Sequence, residues 1–130
     1  MNTPVDLKYS ESDEWVRVDG DIATIGITDF AQEQLNDIVF IELIITKDEL
    51  LKKDDKLGDI ESAKSHAEIL SPISGKVIDT NTTLSDDLSI INKDPFGQGW
   101  MCKIQILDKN ELNNLMDASA YQKYCEGREH

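Results

Sequence analysis

The sequence predicts a mainly β protein, a compact sandwich or flattened barrel edged by short helices and ending in a helical region. Three observations carry this expectation. Short β-favouring runs follow one another closely along most of the chain, and the helical signals between them are brief. At 130 residues, with 39% hydrophobic and 30% charged side chains, the chain suits one packed domain, 1–130, with a core over about 7–125.

Trp15-Val16-Arg17-Val18 and Ile22-Ala23-Thr24-Ile25-Gly26-Ile27 read as the strands of a hairpin, because Asp19-Gly20-Asp21 offers a glycine for the positive φ of a tight turn. Thr28 and Asp29 are candidate N-caps of a short helix over 30–35, where Ala31 and Leu35 share a face and after which Asn36-Asp37 ends the element. Ile38-Val39-Phe40-Ile41-Glu42-Leu43-Ile44-Ile45 is almost continuously apolar and predicts a strand covered on both faces. The stretch 46–56, with Lys52-Lys53-Asp54-Asp55-Lys56 at its end, reads as a solvated connection whose charges do nothing specific.

Leu57-Gly58-Asp59-Ile60-Glu61-Ser62 and His66-Ala67-Glu68-Ile69-Leu70 flank Ala63-Lys64-Ser65, which puts Lys64 at the tip of a hairpin. Pro72 and the turn Ser74-Gly75 lead to a strand at 76–78, a polar loop over 81–87 and a further short strand at 88–91. Turn residues over 94–99 precede a strand in which Trp100, Cys102, Ile104 and Ile106 alternate onto one face. Asp108 with Glu111 matches a capping box, Leu112, Leu115 and Met116 follow at helical spacing toward Tyr124, and 127–130 reads as a mobile tail.

Asp and Glu total 26 against 13 Lys and Arg, a formal net charge of -13. Phosphate backbones and anionic membrane surfaces attract basic patches, and this chain has none of useful size, so neither nucleic acid nor membrane is an expected partner. The negative field favours proteins with basic docking surfaces. Cys102 and Cys125 have no zinc or redox spacing and read as reduced, Cys125 near a frayed end. Met1-Asn2-Thr3-Pro4-Val5-Asp6 has the features of neither a signal nor a transit peptide, which makes bacterial cytoplasm the expected compartment, or the mitochondrial matrix if a presequence has been removed.

A group carried covalently between catalysts needs a side chain that is nucleophilic, long and exposed. Lysine meets all three requirements, since its amine forms a stable amide with a carboxylic acid and its four-carbon stem lengthens the tether. There are eleven lysines, and only position singles out Lys64, between strands and with Glu61 and Glu68 to either side. His66 and Cys102 lack a third orienting group and make no hydrolase constellation. Trp15 and Trp100 read as core or cleft-wall aromatics, and Gly97-x-Gly99 is too short for a phosphate loop.

Glu61-Ser62-Ala63-Lys64-Ser65 resembles the attachment sequence of glycine cleavage H proteins. Tyr9-Ser10, Glu14-Trp15-Val16, 23–29, Ala31-Gln32, 38–43, Ser71-Pro72-Ile73-Ser74-Gly75, Asp94-Pro95-Phe96 and Gly99-Trp100-Met101 follow that family's pattern in order. The resemblance runs from Leu7 to about Cys125. It implies a barrel-sandwich hybrid fold like that of lipoyl and biotinyl carriers, with lipoic acid in amide linkage to Lys64 and no catalytic residue or metal of the chain's own.

It further implies that Lys64 ferries the aminomethyl group of glycine from a pyridoxal-phosphate glycine decarboxylase, the P protein, to an aminomethyltransferase, the T protein. Electrons pass to dihydrolipoamide dehydrogenase, the L protein. A lipoate ligase or lipoyl/octanoyl transferase would load the lysine, and the carrier is expected to be a monomer. Ser12, Glu14 and Glu68 fall where the family contacts the loaded arm in a cleft. Asp13 stands where a histidine is usual, His66 where a small residue is usual, and the Pro and Gly usual after the central strand are missing, with one extra residue nearby. That altered loop keeps a second reading open, a lipoyl-relay or interaction protein that does not serve glycine breakdown. A biotinyl module would carry methionines beside the lysine, and a 2-oxo acid dehydrogenase domain would sit among Pro/Ala-rich linkers.

Overall fold

The computed structural model describes residues 1–128, folded as two antiparallel sheets with short helices around them. The larger sheet takes β1 (Lys8–Tyr9), β2 (Glu14–Asp19) and β3 (Ile22–Ile27) in succession. It continues through β9 (Cys102–Ile106) and β8 (Gly75–Thr80) to β5 (Leu50–Leu51). The smaller sheet sets β6 (Lys56–Ser62) between β4 (Ile38–Leu43) and β7 (His66–Leu70). Gly20, at φ 63°, makes the β2–β3 turn that the sequence predicts.

Inward residues of both sheets make one core. Val16, Ile25, Val77 and Ile104 of the larger sheet and Leu57, Ile60 and Ile69 of the smaller are all buried in it. Strand alternation sends Trp15, the residue before Val16, to the opposite face, where Leu7, Tyr9, Phe30 and Tyr121 form a second cluster with it. Tyr9 and Tyr121 stack there at 4.6 Å between ring centroids. Helix α1 (Asp29–Leu35) starts as expected, with the Thr28 hydroxyl accepting from the Ala31 amide.

Several sequence expectations need correction. Residues 88–91 are not a strand: helix α2 (Ser89–Lys93) begins there, because a four-residue apolar run has too little periodicity to separate the two conformations. Strand β4 is not covered on both faces; it lies at the edge of the smaller sheet with Val39, Phe40 and Ile44 exposed. The connection 46–56 is more ordered than a solvated loop, since it supplies β5 and the first residue of β6, and Lys56 is ion-paired to Asp59 and Glu68. The last strand of the larger sheet begins at Cys102, leaving half-buried Trp100 before it, packed against the second cluster.

At the C-terminal end the capping box is only half formed. Asp108 caps a 3-10 turn, whereas the Glu111 carboxylate accepts from the amide and hydroxyl of Ser74, a better-placed pair of donors than the backbone behind it. The helical region is broken by Tyr9 and Met116, whose backbones exchange hydrogen bonds, and resumes as α3 (Ala118–Glu126) under an Asp117 cap. Cys125 is buried in that helix rather than frayed, and neither it nor Cys102 is in a disulfide. The expected tail is held as far as Arg128, discussed below; residues 129 and 130 lie outside the described residues.

Gly58 sets the spacing inside the smaller sheet, because a Cβ there would run into the main-chain carbonyl of Glu42 on β4. Backbone cannot give way as a flexible side chain does. Gly58→Ala is expected to lower the unfolding free energy by about 1–3 kcal/mol, checked by urea denaturation at neutral pH.

Candidate functional site

The sequence places Lys64 at a hairpin tip, and the structure does the same. Strands β6 and β7 pair continuously from Gly58 opposite Ile69 to Glu61 opposite His66, with one register shift below Gly58 where Lys56 faces Leu70, leaving 63–65 to turn the chain. Ser62 stiffens that turn. Its side chain is buried, its amide donates to the Ser65 carbonyl at 2.8 Å, and its hydroxyl oxygen accepts from the amides of Ser65 at 3.1 Å and Lys64 at 3.4 Å. Ala63 and Lys64 are exposed, and among the described residues no carboxylate pairs with the Lys64 amine. A short, tied turn thus presents one mobile amine.

The outer face below the tip is a ladder of charges. Lys56 Nζ lies 2.9 Å from Asp59 and 3.2 Å from Glu68, and His66 Nε2 lies 3.0 Å from Asp59. Hydrogen bonding to Asp59 and Glu68 raises the Lys56 pKa, and the bond from Lys56 lowers that of Asp59. Such exposed pairs add little stability each. Their effect here is to occupy Glu68 from one side.

On the inner side of the hairpin a cleft of about 270 Å³ opens against β2 and α1. Ile27, Ala31, Leu35, Ala67 and Ile69 give it apolar walls, Ser65 beside Lys64 stands at one edge, and Ser12, Glu14 and Glu68 all line it. The three proposed cleft residues are therefore brought together, in different settings. Ser12 and Glu68 are exposed; Glu14 is 1% exposed.

Glu14 opens β2 and shares the inward face with Val16. One carboxylate oxygen accepts from Ser10 Oγ at 2.6 Å and Ser12 Oγ at 2.5 Å, and the other from the Leu70 amide at the end of β7 at 3.1 Å. Burial disfavours the charge and pushes its pKa up from 4.5 to about 7, against the lowering effect of those three donors. The carboxylate is thus poised near neutrality at the inner end of a cleft, where a protonated amine would find a partner.

Asp13, flagged only as a departure from the usual histidine, holds the other wall. Its backbone adopts φ 73°, which Asp tolerates better than most residues, and its carboxylate takes a two-pronged bond from Arg128 at 2.7 Å to each oxygen and a third from Tyr121. Arg128 lies over the rings of Phe30 and Tyr124 and lines the cleft. Sequence reasoning missed this wall, since no local pattern links residues 115 apart.

A lysine raised on a tied hairpin tip, beside a cleft, on a two-sheet β fold defines the class of protein: a carrier domain that moves a tethered group. Residues 7–128 match the family described as Glycine cleavage H-protein. The chain is 46% identical over 123 residues to the glycine cleavage system H protein of Symbiobacterium thermophilum, covering 95% of each chain. It is 42% identical to that of Bacteroides thetaiotaomicron, over 98% of this chain and 100% of the other. The crystal structure of a glycine cleavage system H protein from Mycobacterium marinum superposes with a TM-score of 0.81 at 31% identity, covering 92% and 96% of the two chains. This chain belongs to the glycine cleavage H-protein family, and its role is that of a lipoyl carrier in the glycine cleavage system.

The unfolded chain loses the Glu14 proton near pH 4.5 and the folded chain near pH 7, so the unfolded state binds fewer protons between those values and stability falls as pH rises through them. The full effect is about 3 kcal/mol at most. Titration of the Glu14 side-chain carboxyl by NMR is expected to show a midpoint near pH 7, and denaturation of wild type from pH 5 to pH 8 is expected to lose on the order of 1–3 kcal/mol relative to Glu14→Gln.

Proposed function

We propose that Lys64 carries lipoate as an amide, with Glu61, Ser62 and Ala63 as the attachment motif, and that the whole chain, 1–130, works as one non-catalytic, monomeric carrier. The cleft fits the group: its apolar walls match an aliphatic chain, and its polar end at Ser12 and Glu14 matches the amine of a loaded arm. When bound, lipoate supplies a disulfide that takes up the aminomethyl unit of glycine at the P protein, yields it at the T protein and is reoxidised at the L protein. The chain's own residues present, shelter and release. Ser62 fixes where the tether starts, the Ile27, Ala31 and Leu35 wall excludes water from it, and Glu14 becomes fully ionised when an ammonium lies beside it.

Tethering replaces diffusion of a labile unit with a local search, so each partner contact can stay weak. The partner set comprises the P, T and L proteins and a lipoate ligase or lipoyl/octanoyl transferase, in a bacterial cytoplasm. The exposed Lys64 at the β6–β7 tip, next to Ser65 at the edge of the Glu14 cleft, carries this reading.

Co-expression with a lipoate ligase is expected to add one lipoyl group by intact mass, and Lys64→Arg is expected to abolish it; an adduct persisting on another lysine would overturn the assignment. Glycine-dependent carbon dioxide exchange with the P protein then separates roles. A lipoylated chain that supports none would point to a relay instead.

A further inference from the structure

Val39 and Phe40 are 55% and 43% exposed, and the cause is a fault in strand pairing. Ile38 faces Ser62 and Phe40 faces Glu61, so Val39 is an extra residue on β4 with no partner on β6. A bulge of this kind re-aims side chains, and here it leaves two adjacent apolar residues in solvent where regular alternation would bury one. Phe40 pairs with Glu61, three residues before Lys64, and Glu61 pairs in turn with His66 on the far side of the tip.

Along the same outer face Glu42 stands opposite Asp59, and Asp59 opposite Glu68. Lys56 offsets part of that charge from its place between Asp59 and Glu68. Glu42 and Glu61 stay exposed and outside any ion pair among the described residues. The surface is an apolar pair with an acidic rim, adjoining the lysine. It suits a partner with an apolar depression and basic edges.

Reach selects which partner. An enzyme that bonds to the Lys64 amine must bring its reacting carbon to a nitrogen only five bonds, about 6 Å, from the lysine Cα, so its body presses against the hairpin and the strand beside it. An enzyme acting at the far end of a loaded arm can stand farther off. We propose that Val39 and Phe40, rimmed by Glu42 and Glu61, dock the enzyme that acylates Lys64; this rests on the assignment of Lys64 as the attachment lysine. In the step served, the neutral amine nitrogen bonds to the carbonyl carbon of an acyl adenylate. The bond from that carbon to the phosphate oxygen breaks, AMP leaves with the electron pair, and an amine proton passes to a base of the enzyme.

The test uses the full chain with purified lipoate ligase, lipoate and ATP, following acylation by intact mass. The double variant Val39→Ser/Phe40→Ser is expected to lose tenfold or more in acylation kcat/KM. Ile44→Ser, equally exposed farther along the same segment, is expected to stay within twofold of wild type. Exhaustively acylated double variant is expected to support carbon dioxide exchange with the P protein within twofold of wild type. Glu42→Lys leaves the apolar pair and the attachment motif untouched and provides a second reading of the rim, with a loss in kcat/KM that narrows as added salt screens the charges. Unchanged acylation of both variants, an equal loss in Ile44→Ser, or a loss confined to P-protein exchange would each overturn the docking proposal while Lys64 remained the attachment site. Failure of the wild-type chain to be acylated at Lys64 would instead overturn the carrier assignment on which it stands.

Discussion

A buried carboxylate that pairs with no cation among the described residues governs the cleft end of the molecule. Glu14 takes its three donors from three separate places: a hydroxyl before β2, a hydroxyl in the turn leading to it, and the amide at the end of β7. The larger and smaller sheets are therefore joined at a polar point as well as through their shared apolar core. Losing any one donor would leave a buried charge short of a partner, which costs more than an ordinary hydrogen bond is worth. The turn residues Ser10 and Ser12 follow from that need, because short hydroxyl side chains on a sharply bent backbone can converge on one carboxylate. A core of hydrocarbon in the same place would be more stable and would have nothing to offer an amine.

The two sides of the β6–β7 hairpin carry unlike surfaces, and strand alternation is the reason. Ile60, Ala67 and Ile69 point inward to the cleft and core, while Asp59, Glu61, His66 and Glu68 point outward to solvent. Lys64 sits where the two meet. A group tethered there can fold back against apolar walls or swing away from them, and the protein surface met on each side differs in charge. Glu68 belongs to both regions, lining the cleft while its carboxylate is engaged by Lys56. As a partner for an amine it is weaker than Glu14, since its single charge is already answered by Lys56 and water screens its contacts.

The hairpin was legible in the sequence because Asp59-Ile60-Glu61 and Ala67-Glu68-Ile69 alternate on either side of three small or polar residues, while the register shift near Leu57 was not. The caps at Thr28 and Asp117 obey local rules in the same way, although only the first had a following pattern clear enough to be read. What escaped reading was decided by distant groups. Glu111 stands at the capping distance from Asp108 and bonds Ser74 instead, because two donors 37 residues away in sequence were offered together. Val39 and Phe40 looked like core residues because composition records that a side chain is apolar and is silent about a one-residue slip in pairing. Arg128 looked like tail for a related reason: its partners, Asp13, Phe30 and Tyr124, come from the opposite end of the chain and from two helices.

The charge of the chain bears on how such a carrier could serve several enzymes in turn. At -13, long-range attraction to basic surfaces speeds encounter without requiring a large interface, and it weakens as salt screens it. Short-range selectivity has to come from features that only one partner touches. The cleft lies on the inner side of the hairpin, and on the proposed carrier reading it would discriminate by what the arm carries, through the protonation of Glu14. The bulged, apolar edge of β4 is open, and on the docking proposal it would discriminate by who stands beside the tip. A carrier built this way separates the question of which enzyme may load the lysine from the question of which cargo may rest in the cleft, and a change in one surface need not disturb the other.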